Sequence, residues 1–311
     1  MTITSTIPQL EGSSVALGLF DGLHQGHCAV INGAFADSKE TRVVFSVGRL
    51  CSRTAHDGAV RTAVLLLDDE RNRILEGLGT DILVTPPFDE IKDYSGEQFF
   101  KEILLGRLGA RRVSCGYNYT FGKGASCGAT ELRAFCETAG IQCEVVPELR
   151  CDGKAVSSSA IRTALLAGDA ETAALLLGRR YGYTLPVAEG QHLGRTLGAP
   201  TINQIFPENL LLPRFGVYAS LVYIGGGKAG EKPYFGVTNI GMRPTVGAEL
   251  PLSETWMPEY TGSELYGQNI RVELLAFLRD EKRFGSLDEL RIAIHRDARA
   301  AGAVARGYDC R

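Results

Sequence analysis

The 311-residue chain lacks a large charge excess and any long apolar run. Its 33 basic and 36 acidic residues leave a formal net charge of −3, so we expect no broad electrostatic attraction to nucleic acid or to an anionic membrane. No segment approaches the roughly 18 apolar residues that a membrane-spanning helix needs. Residues 1–12 show no basic region followed by an apolar one, the pattern of a secretory signal. We therefore expect a cytoplasmic protein without nucleic-acid or membrane partners; the sequence does not indicate its oligomeric state.

The cysteines show no C-x-x-C spacing, and no internal repeat or low-complexity tract occurs. Such a paired spacing is typical of zinc sites and of redox-active dithiols. We therefore interpret the thiols as reduced, some of them packed as small hydrophobic side chains. The eight cysteines lie at positions 28, 51, 115, 127, 136, 143, 151 and 310.

What remains is the composition of a folded globular chain. Apolar residues make up 44% and charged residues 22%, which excludes a disordered or collagen-like protein. At roughly 100–200 residues per domain, the length predicts about two domains.

Short strands rich in valine and isoleucine alternate with helical stretches up to about residue 180. In the helical stretches, apolar residues recur every three or four positions, and Ser95 with Gln98 forms a capping box. Repeated strand–helix units predict an α/β domain, a Rossmann-like parallel sheet that binds ligands at the carboxyl ends of its strands. The predicted strands are 15–19, 42–47, 81–85, 111–115 and 141–146, and the predicted helices are 27–38, 60–77, 96–108 and 130–139.

The most informative stretch is GLFDGLHQGH at residues 18–27. A glycine-rich turn between a strand and a helix places backbone N–H groups and the positive end of the helix dipole at one point, which favours phosphate binding. His24 and His27 add imidazole donors that can stabilise the charge developing during group transfer. The stretch predicts nucleotidyl transfer; the alternative is a pair of surface or capping histidines.

Two further segments are expected at the same edge of the sheet. The loop at 116–128 follows a predicted strand, so it shares that edge with the 18–27 turn. Ser157, Ser158 and Ser159 can cap a helix in which Arg162, one turn later, points at the same anion. A simple helix N-cap is the alternative for this serine turn.

Beyond Tyr183 the pattern changes to long β-rich runs with no helix between them. Such a meander closes most naturally into a small antiparallel β-barrel. Ser286 and Glu289 form a capping box that opens a final amphipathic helix through about residue 299. The predicted domains are therefore 1–183 and 184–311, and the β-rich runs are 216–224, 234–240 and 270–278.

Six sequence elements occur in the order found in one enzyme family. They are GLFDGLHQGH at 18–27, YTFG at 119–122, the serine turn at 157–162 with LGRRY at 177–181, GRTLGAPTIN at 194–203, residues 236–245, and YG at 266–267 followed by LR at 278–279 and Phe284. On these residues the chain resembles the bacterial bifunctional riboflavin kinase/FMN adenylyltransferases, the prokaryotic FAD synthetases, over nearly its whole length. Each element alone is a weak signal, but six in order are specific.

The resemblance implies that riboflavin and ATP give FMN, and that FMN and a second ATP give FAD and pyrophosphate. Flavin is then substrate and product. In the first half the FMN phosphate would attack the α-phosphorus of ATP; His24 and His27 would stabilise the transition state, and Arg162 would hold the β- and γ-phosphates. The ATP-binding residues that the resemblance implies here are Gly18, Phe20, Asp21, Gly22, Asn118, Ser157, Ser158 and Ser159.

For the second half the resemblance implies a kinase site. Thr201 and Asn203 would be ligands of a magnesium ion (Mg2+) that carries ATP phosphates, and Glu254 would be the general base for the ribityl 5′-hydroxyl. The implied ATP-binding residues are Gly190, Gly194, Gly198 and Pro200, and the implied flavin-binding residues are Asn239, Arg279 and Phe284.

Three places depart from the family pattern, one of them KGAS at residues 123–126, which lacks the arginine that usually follows Phe-Gly. Residues 45–50 read FSVGRL where related sequences usually carry FDPHP. Asn118 stands where an aspartate is usual, which removes a negative charge but keeps hydrogen-bonding capacity. Two other functions therefore stay open: transfer of a nucleotidyl group to another phosphorylated acceptor, and a flavin-binding regulatory module with weak adenylylation.

Overall fold

The computed structural model describes residues 1–47, 63–190, 198–227, 230–245 and 248–309. The chain forms two compact units, Met1–Ser158 and Ser159–Arg311. The two helices that precede Tyr183 belong to the second unit, while the predicted division of domains at residue 183 stays a prediction.

The first unit is built on a six-stranded parallel sheet in the order β1-β4-β3-β2-β5-β8. Two short hairpins, β6-β7 and β9-β10, complete its strands. The five predicted strands all occur, with ends shifted by one or two residues, whereas the edge strand β1 was not predicted. The bounds are β1 Thr2–Thr4, β2 Ser13–Leu17, β3 Thr41–Phe45, β4 Ile82–Val84, β5 Ala110–Gly116, β6 Thr120–Phe121, β7 Cys127–Gly128, β8 Gln142–Val146, β9 Arg150–Cys151 and β10 Lys154–Ala155.

Helices connect these strands. The predicted capping box at Ser95 and Gln98 is present, and the helix that follows continues as a π-helix over Phe99–Arg107. The helix predicted from residue 60 was placed too early in the described part, because it begins at Asp68. Leu65 instead donates its N–H to Asp21, and residues 64–66 are buried in a non-helical conformation. The bounds are α1 Gln25–Phe35, α2 Asp68–Gly77, α3 Phe88–Ile91, α4 Gly96–Gln98 and α5 Ala129–Ala139.

Both faces of the parallel sheet are covered. Alternate strand residues point to opposite faces: Val15 and Leu17 pack with Leu104, whereas Ala16 packs with Ile31 and other residues of a second cluster. This double covering confirms the predicted Rossmann-like architecture.

The described cysteines of the first unit are free thiols. Burial raises the pKa of the Cys115 thiol to about 12, so it stays protonated at neutral pH. Cys115 packs among the apolar side chains of one face of the sheet and behaves as a small hydrophobic residue. Cys51 and Cys310 lie outside the described residues.

The second unit is an antiparallel six-stranded barrel in the order β11-β16-β13-β14-β15-β12. The N–H of Ala188, just beyond β11, donates to the carbonyl of Asn203 in β12 at 2.7 Å and closes the barrel. This confirms the predicted barrel, although β11, β12 and β15 were not predicted as strands. The bounds are β11 Gly182–Pro186, β12 Thr201–Ile205, β13 Gly216–Tyr223, β14 Tyr234–Thr245, β15 Ala248–Trp256 and β16 Asn269–Arg279.

Among the described residues, three helices lie in the barrel unit apart from Ser158, the first residue of α6, which ends the first unit: α6 Ser158–Ala167, α7 Ala170–Leu177 and α8 Leu287–Asp309. α8 begins after the predicted Ser286 cap, which accepts the N–H of Glu289 at 3.2 Å, and it runs about ten residues beyond the predicted end. Its small residues Ala298, Ala301 and Ala305 pack on the outer face of the barrel, which explains the extension. Within the described ranges, no helix has both the length and the apolarity to cross a membrane.

Candidate active sites

The order of strands in the parallel sheet reverses between β2 and β5. Chain order runs from β2 through β3 to β4 on one side and continues with β5 and β8 on the other, so the carboxyl ends of β2 and β5 meet at a topological switch point. Leu17 at the end of β2 lies opposite Cys115 of β5, which places Gly18 beside Gly116. Ligands of open α/β sheets bind in the crevice at such a point. The predicted phosphate loop therefore lies where this fold binds ligands.

The loop after β2 has a strained backbone. Phe20 and Leu23 adopt φ values of +51° and +43°, which non-glycine residues rarely do, and Gly22 lies at +82°. Both strained side chains are fully buried, so apolar burial holds the loop in this conformation. A Cβ atom at Gly22 would lie 2.7 Å from Leu65 Cδ1, so the position requires glycine on two grounds.

Hydrogen bonds tie this loop to its surroundings. Asp21 accepts the N–H of Leu65 through Oδ1 at 2.9 Å, and its carbonyl accepts the hydroxyl of Ser158 at 2.8 Å. The hydroxyl of Ser46 donates to the Leu19 carbonyl at 3.0 Å. Ser158, the second residue of the predicted serine turn, thus contacts the predicted phosphate loop.

His24 is the N-cap of α1. Its Nδ1 accepts the backbone N–H of His27 at 3.2 Å, and the side chain is almost fully buried. Because Nδ1 is an acceptor in this bond, the proton of the neutral ring lies on Nε2. The cap therefore fixes the tautomer of the neutral ring, with its N–H at Nε2. The capping alternative for His24 is thus confirmed, while its catalytic role stays a prediction.

His27 stacks on His24. The ring centroids lie 3.6 Å apart with an interplanar angle of 15°, and Phe20 meets the His27 ring edge-on at 5.4 Å. A Cβ atom on Gly26 would come within 3.2 Å of the His24 ring, so glycine leaves room for that ring to fold over the helix start. The two imidazoles thus form one rigid pair at the positive end of α1.

The other ATP-binding residues predicted for the sheet unit are placed as follows. Asn118 is exposed in the turn just after β5, so it lies at the switch point. Ser157 directly precedes α6, and Ser159 and Arg162 lie in its first turns. The departing segment 45–50 is described only through Val47; residues 48–50 lie outside the described residues.

In the barrel, three polar residues form a row across neighbouring strands. Glu254 of β15 lies directly opposite Asn203 of β12 on one side and Asn239 of β14 on the other. Directly paired residues of antiparallel strands point to the same face, with Cβ atoms about 4.5–5.5 Å apart. The same face carries Trp256 and Val237, which pack with α8 residues such as Ala301, so it is the outer face of the barrel. The register brings together the predicted base, one predicted metal ligand and one predicted flavin contact.

The chemistry of Asn203 fits a metal ligand. Its Oδ1 atom is buried and accepts no hydrogen bond from the residues that the structure describes. A buried carbonyl oxygen without a donor costs free energy unless it gains a partner, and hard oxygens are the ligands that Mg2+ prefers. Thr201 lies two residues earlier on the same face of β12 and supplies a hydroxyl oxygen.

Gly190 lies against the Asn203 side chain. A Cβ atom there would overlap Nδ2 of Asn203 and lie 2.9 Å from its Cγ. Gly198 has a φ of +74° and open space around it, and Pro200 is exposed. Gly194 lies outside the described residues. Of the glycines predicted to bind ATP in the barrel unit, Gly190 is the one whose small size the described structure explains.

Replacing Gly190 with alanine is expected to lower the rate of FMN formation from riboflavin by at least about tenfold, because the new methyl group displaces Asn203. The control is Gly307→Ala in α8, where a Cβ meets nothing within 4 Å. Steady-state kinetics on both variants measure the effect. Equal rates in the two variants would contradict the assignment of Asn203.

The remaining flavin-binding predictions lie at the end of β16 and beyond it. Arg279 donates through Nε to Asp297 of α8 at 2.9 Å and lies 5.7 Å from the centre of the half-buried Phe284 ring. Glu281 accepts a hydrogen bond from Asn239 at 3.3 Å. Its carboxylate occupies the space that a side chain at Gly241 would need.

Asp297 and Glu281 were missed in the sequence, although both contact predicted flavin residues. Asp297 lies on α8 four residues after the buried Ala293 and four residues before the buried Ala301, a weak sign that it faces the barrel. No sequence signal distinguishes Glu281 from its exposed neighbours.

Comparison with known proteins gives one family for both units. A family model described as FAD synthetase matches residues 6–160, and one described as riboflavin kinase matches residues 177–305. The bifunctional riboflavin kinase/FMN adenylyltransferase of Bacillus subtilis is 34% identical over 298 residues, which cover 93% of this chain and 91% of that protein. The proteins of the same name from Haemophilus influenzae and Escherichia coli K12 are 31% and 32% identical, covering 94% of this chain and 94% and 92% of theirs.

A solved structure shares the fold over the same length. A chain described as a macrolide-efflux protein from Streptococcus pneumoniae superposes with a TM-score of 0.80 at 26% identity, covering 94% of each chain. Matches to both family models, in the order of the two units, and relatives above 30% identity over nearly the full length confirm the resemblance found in the sequence. The chain belongs to the bifunctional riboflavin kinase/FMN adenylyltransferase family.

Proposed function

We propose that this chain phosphorylates riboflavin to FMN in its barrel unit and adenylylates FMN to FAD in its sheet unit. The proposal is supported by membership of the family and by two structural observations. A helix capped by His24 begins at the switch point of the sheet, and Glu254 lies opposite Asn203 on the barrel. We propose that the two activities divide near residue 183, with domains 1–183 and 184–311.

In the sheet unit an oxygen of the FMN phosphate bonds to the α-phosphorus of ATP, while the bond from that phosphorus to the β-phosphate breaks and pyrophosphate leaves. The backbone N–H groups at the start of α1 and the Nε2–H of His24 stabilise the negative charge on the phosphates. His27, stacked on His24, supports the ring and adds a second imidazole. The strained loop at 20–23 holds these groups before substrate arrives. The role of Arg162 stays a prediction.

In the barrel unit Glu254 accepts the proton of the ribityl 5′-hydroxyl, whose oxygen then bonds to the γ-phosphorus as ADP leaves. A carboxylate within hydrogen-bond reach of the hydroxyl performs this step as a general base. Thr201 and Asn203 would hold Mg2+, which neutralises phosphate charge when bound. Asn239 positions the flavin side of the substrate beside Glu254.

A product assay on the full chain tests the proposal. With riboflavin, ATP and Mg2+, chromatography is expected to resolve FMN first and FAD later, with pyrophosphate released in proportion to FAD. Chelation of the metal is expected to stop FMN formation. FMN that accumulates without FAD would remove the adenylylation proposal, and assays with phosphopantetheine or nicotinamide mononucleotide would then test other acceptors. A cytoplasmic location stays a prediction.

A further inference from the structure

The interior of the barrel contains a chain of hydroxyl groups. The Tyr183 and Ser253 hydroxyls lie 2.6 Å apart, and the Ser253 and Thr255 hydroxyls 3.5 Å apart. The chain continues from Thr255 to Thr238 at 2.9 Å and from Thr238 to Ser220 at 2.7 Å. All five side chains are buried. Four strands, β11, β15, β14 and β13, thus share one hydrogen-bonded line.

Hydroxyl groups are an unusual filling for a small barrel. Burying a hydroxyl costs free energy unless it is hydrogen-bonded, and apolar side chains of similar volume fill such interiors without that requirement. Gly236 leaves space for the hydroxyl chain, because a Cβ atom at this position would lie 2.8 Å from Ser220 Oγ and 3.0 Å from Thr255 Cγ2. Burial raises the pKa of Tyr183, so its phenol stays protonated and can donate along the chain. The stability of the barrel interior alone therefore does not explain why these five residues carry hydroxyl groups.

The hydroxyl chain lies directly behind the proposed kinase site, on the inner side of the same strands. Ser253 and Thr255 are the immediate neighbours of Glu254, and alternation along β15 turns both inward and Glu254 outward. Thr238 is likewise the immediate neighbour of Asn239 on β14, and Thr255 and Thr238 are directly paired. The hydrogen bonds behind the sheet thus join the two backbone segments that carry Glu254 and Asn239.

We propose that Ser253 and Thr255 are positioning residues for Glu254, which they orient through the buried hydroxyl chain toward the substrate hydroxyl. Hydrogen bonds are directional, so they fix the rotation of β15 about its axis more tightly than apolar packing does. A displacement of about 1 Å at a catalytic group can cost about 100-fold in rate. The inference rests on the proposed kinase function.

The test compares two changes at one position in the full chain. Thr255→Val keeps the shape but removes the hydroxyl, whereas Thr255→Ser keeps the hydroxyl and removes a methyl group. Thr255→Val is expected to lower kcat for FMN formation by about 10- to 100-fold, while KM for riboflavin changes less than about twofold. Thr255→Ser is expected to stay within about threefold of the parent kcat, since the hydrogen bonds remain.

Two controls separate positioning from general stability. Ser220→Ala removes a hydroxyl at the far end of the same chain, two links from Thr255, and is expected to change kcat less than Thr255→Val does. FAD formation from supplied FMN is expected to be unchanged in every variant, which reports that the sheet unit is intact, and a thermal unfolding temperature close to that of the parent protein reports that the barrel is folded. Thr255→Val with the parent kcat, or Ser220→Ala and Thr255→Val with equal losses, would overturn the inference.

The proposed function has a separate readout in the same experiment. Glu254→Gln is assayed beside the Thr255 variants. Loss of FMN formation in Glu254→Gln with a fully active Thr255→Val rejects the positioning role and leaves the kinase proposal standing. Full activity in Glu254→Gln rejects the base assignment itself, and with it the role of the hydroxyl chain.

Discussion

Replacing His24 with asparagine is expected to lower the rate of FAD formation from FMN by about 100- to 1000-fold, the usual effect of removing one donor that stabilises transition-state charge. The asparagine Oδ1 takes the place of Nδ1 and can accept the His27 N–H, so the N-cap of α1 is kept. The donor at Nε2 is lost. FAD formation is measured by chromatography, and thermal unfolding is expected to match the parent protein.

His24→Gln is the matched partner of this variant. The glutamine amide reaches the position of Nε2 but does not cap the helix, so we expect higher activity than His24→Asn has and a loss of stability of about 1 kcal/mol. In both variants FMN formation from riboflavin is expected to continue, because Glu254 lies in the other unit. If His24→Asn formed FAD at the parent rate, the ring would be a cap only.

The position and shape of the predicted phosphate loop could be read from the sequence because its glycine and histidine residues act locally, and phosphate binding itself stays a prediction. A positive φ at Gly22 and the start of α1 depend on a few adjacent residues, and the order of strands and helices gives the edge of the sheet at which they lie. The positive φ of Phe20 and Leu23 was not predictable. It is imposed by burial of both side chains against residues distant in sequence.

The barrel was predicted from fewer strands than it has. β15 contains Pro251 near its start, and β12 follows directly on Pro200 and carries Asn203 and Gln204, so neither shows the mostly apolar and aromatic run of β13. These segments become strands by pairing with neighbouring strands, and the local sequence pattern does not indicate that pairing. The extra length of α8 also depends on tertiary contacts, because alanine only favours a helix, whereas Ala301 and Ala305 are buried against residues of the barrel.

The residues predicted for the kinase site differ from the phosphate loop, because their residue types and spacing alone give little evidence for kinase chemistry. Thr201, Asn203 and Glu254 became candidates through the family resemblance, and their meeting depends on the register of β12 with β15. That register brings together positions that are 51 residues apart for Asn203 and Glu254, which no periodicity within one strand can predict. The hydroxyl chain behind them escaped notice because serine and threonine are common at exposed positions of strands.

Replacing Glu254 with glutamine is expected to lower kcat for FMN formation by about 100- to 10,000-fold, because the amide keeps the size of the side chain but cannot accept the proton of the 5′-hydroxyl. Binding of riboflavin is expected to change little, since shape and hydrogen bonding are largely preserved. Steady-state kinetics with riboflavin as the varied substrate separate these two effects. Asn203 and Asn239 stay in place across the sheet, so the neighbouring strands need no rearrangement.

The matched control is Glu259→Gln, which removes an exposed carboxylate five residues further along the chain and is expected to leave FMN formation unchanged. Glu254→Gln should still convert supplied FMN into FAD, because His24 and the α1 start belong to the sheet unit. Mixing Glu254→Gln with His24→Asn is then expected to restore FAD formation from riboflavin, since each protein supplies the step that the other lacks. A Glu254→Gln protein that phosphorylates riboflavin at the parent rate would show that another group accepts the proton.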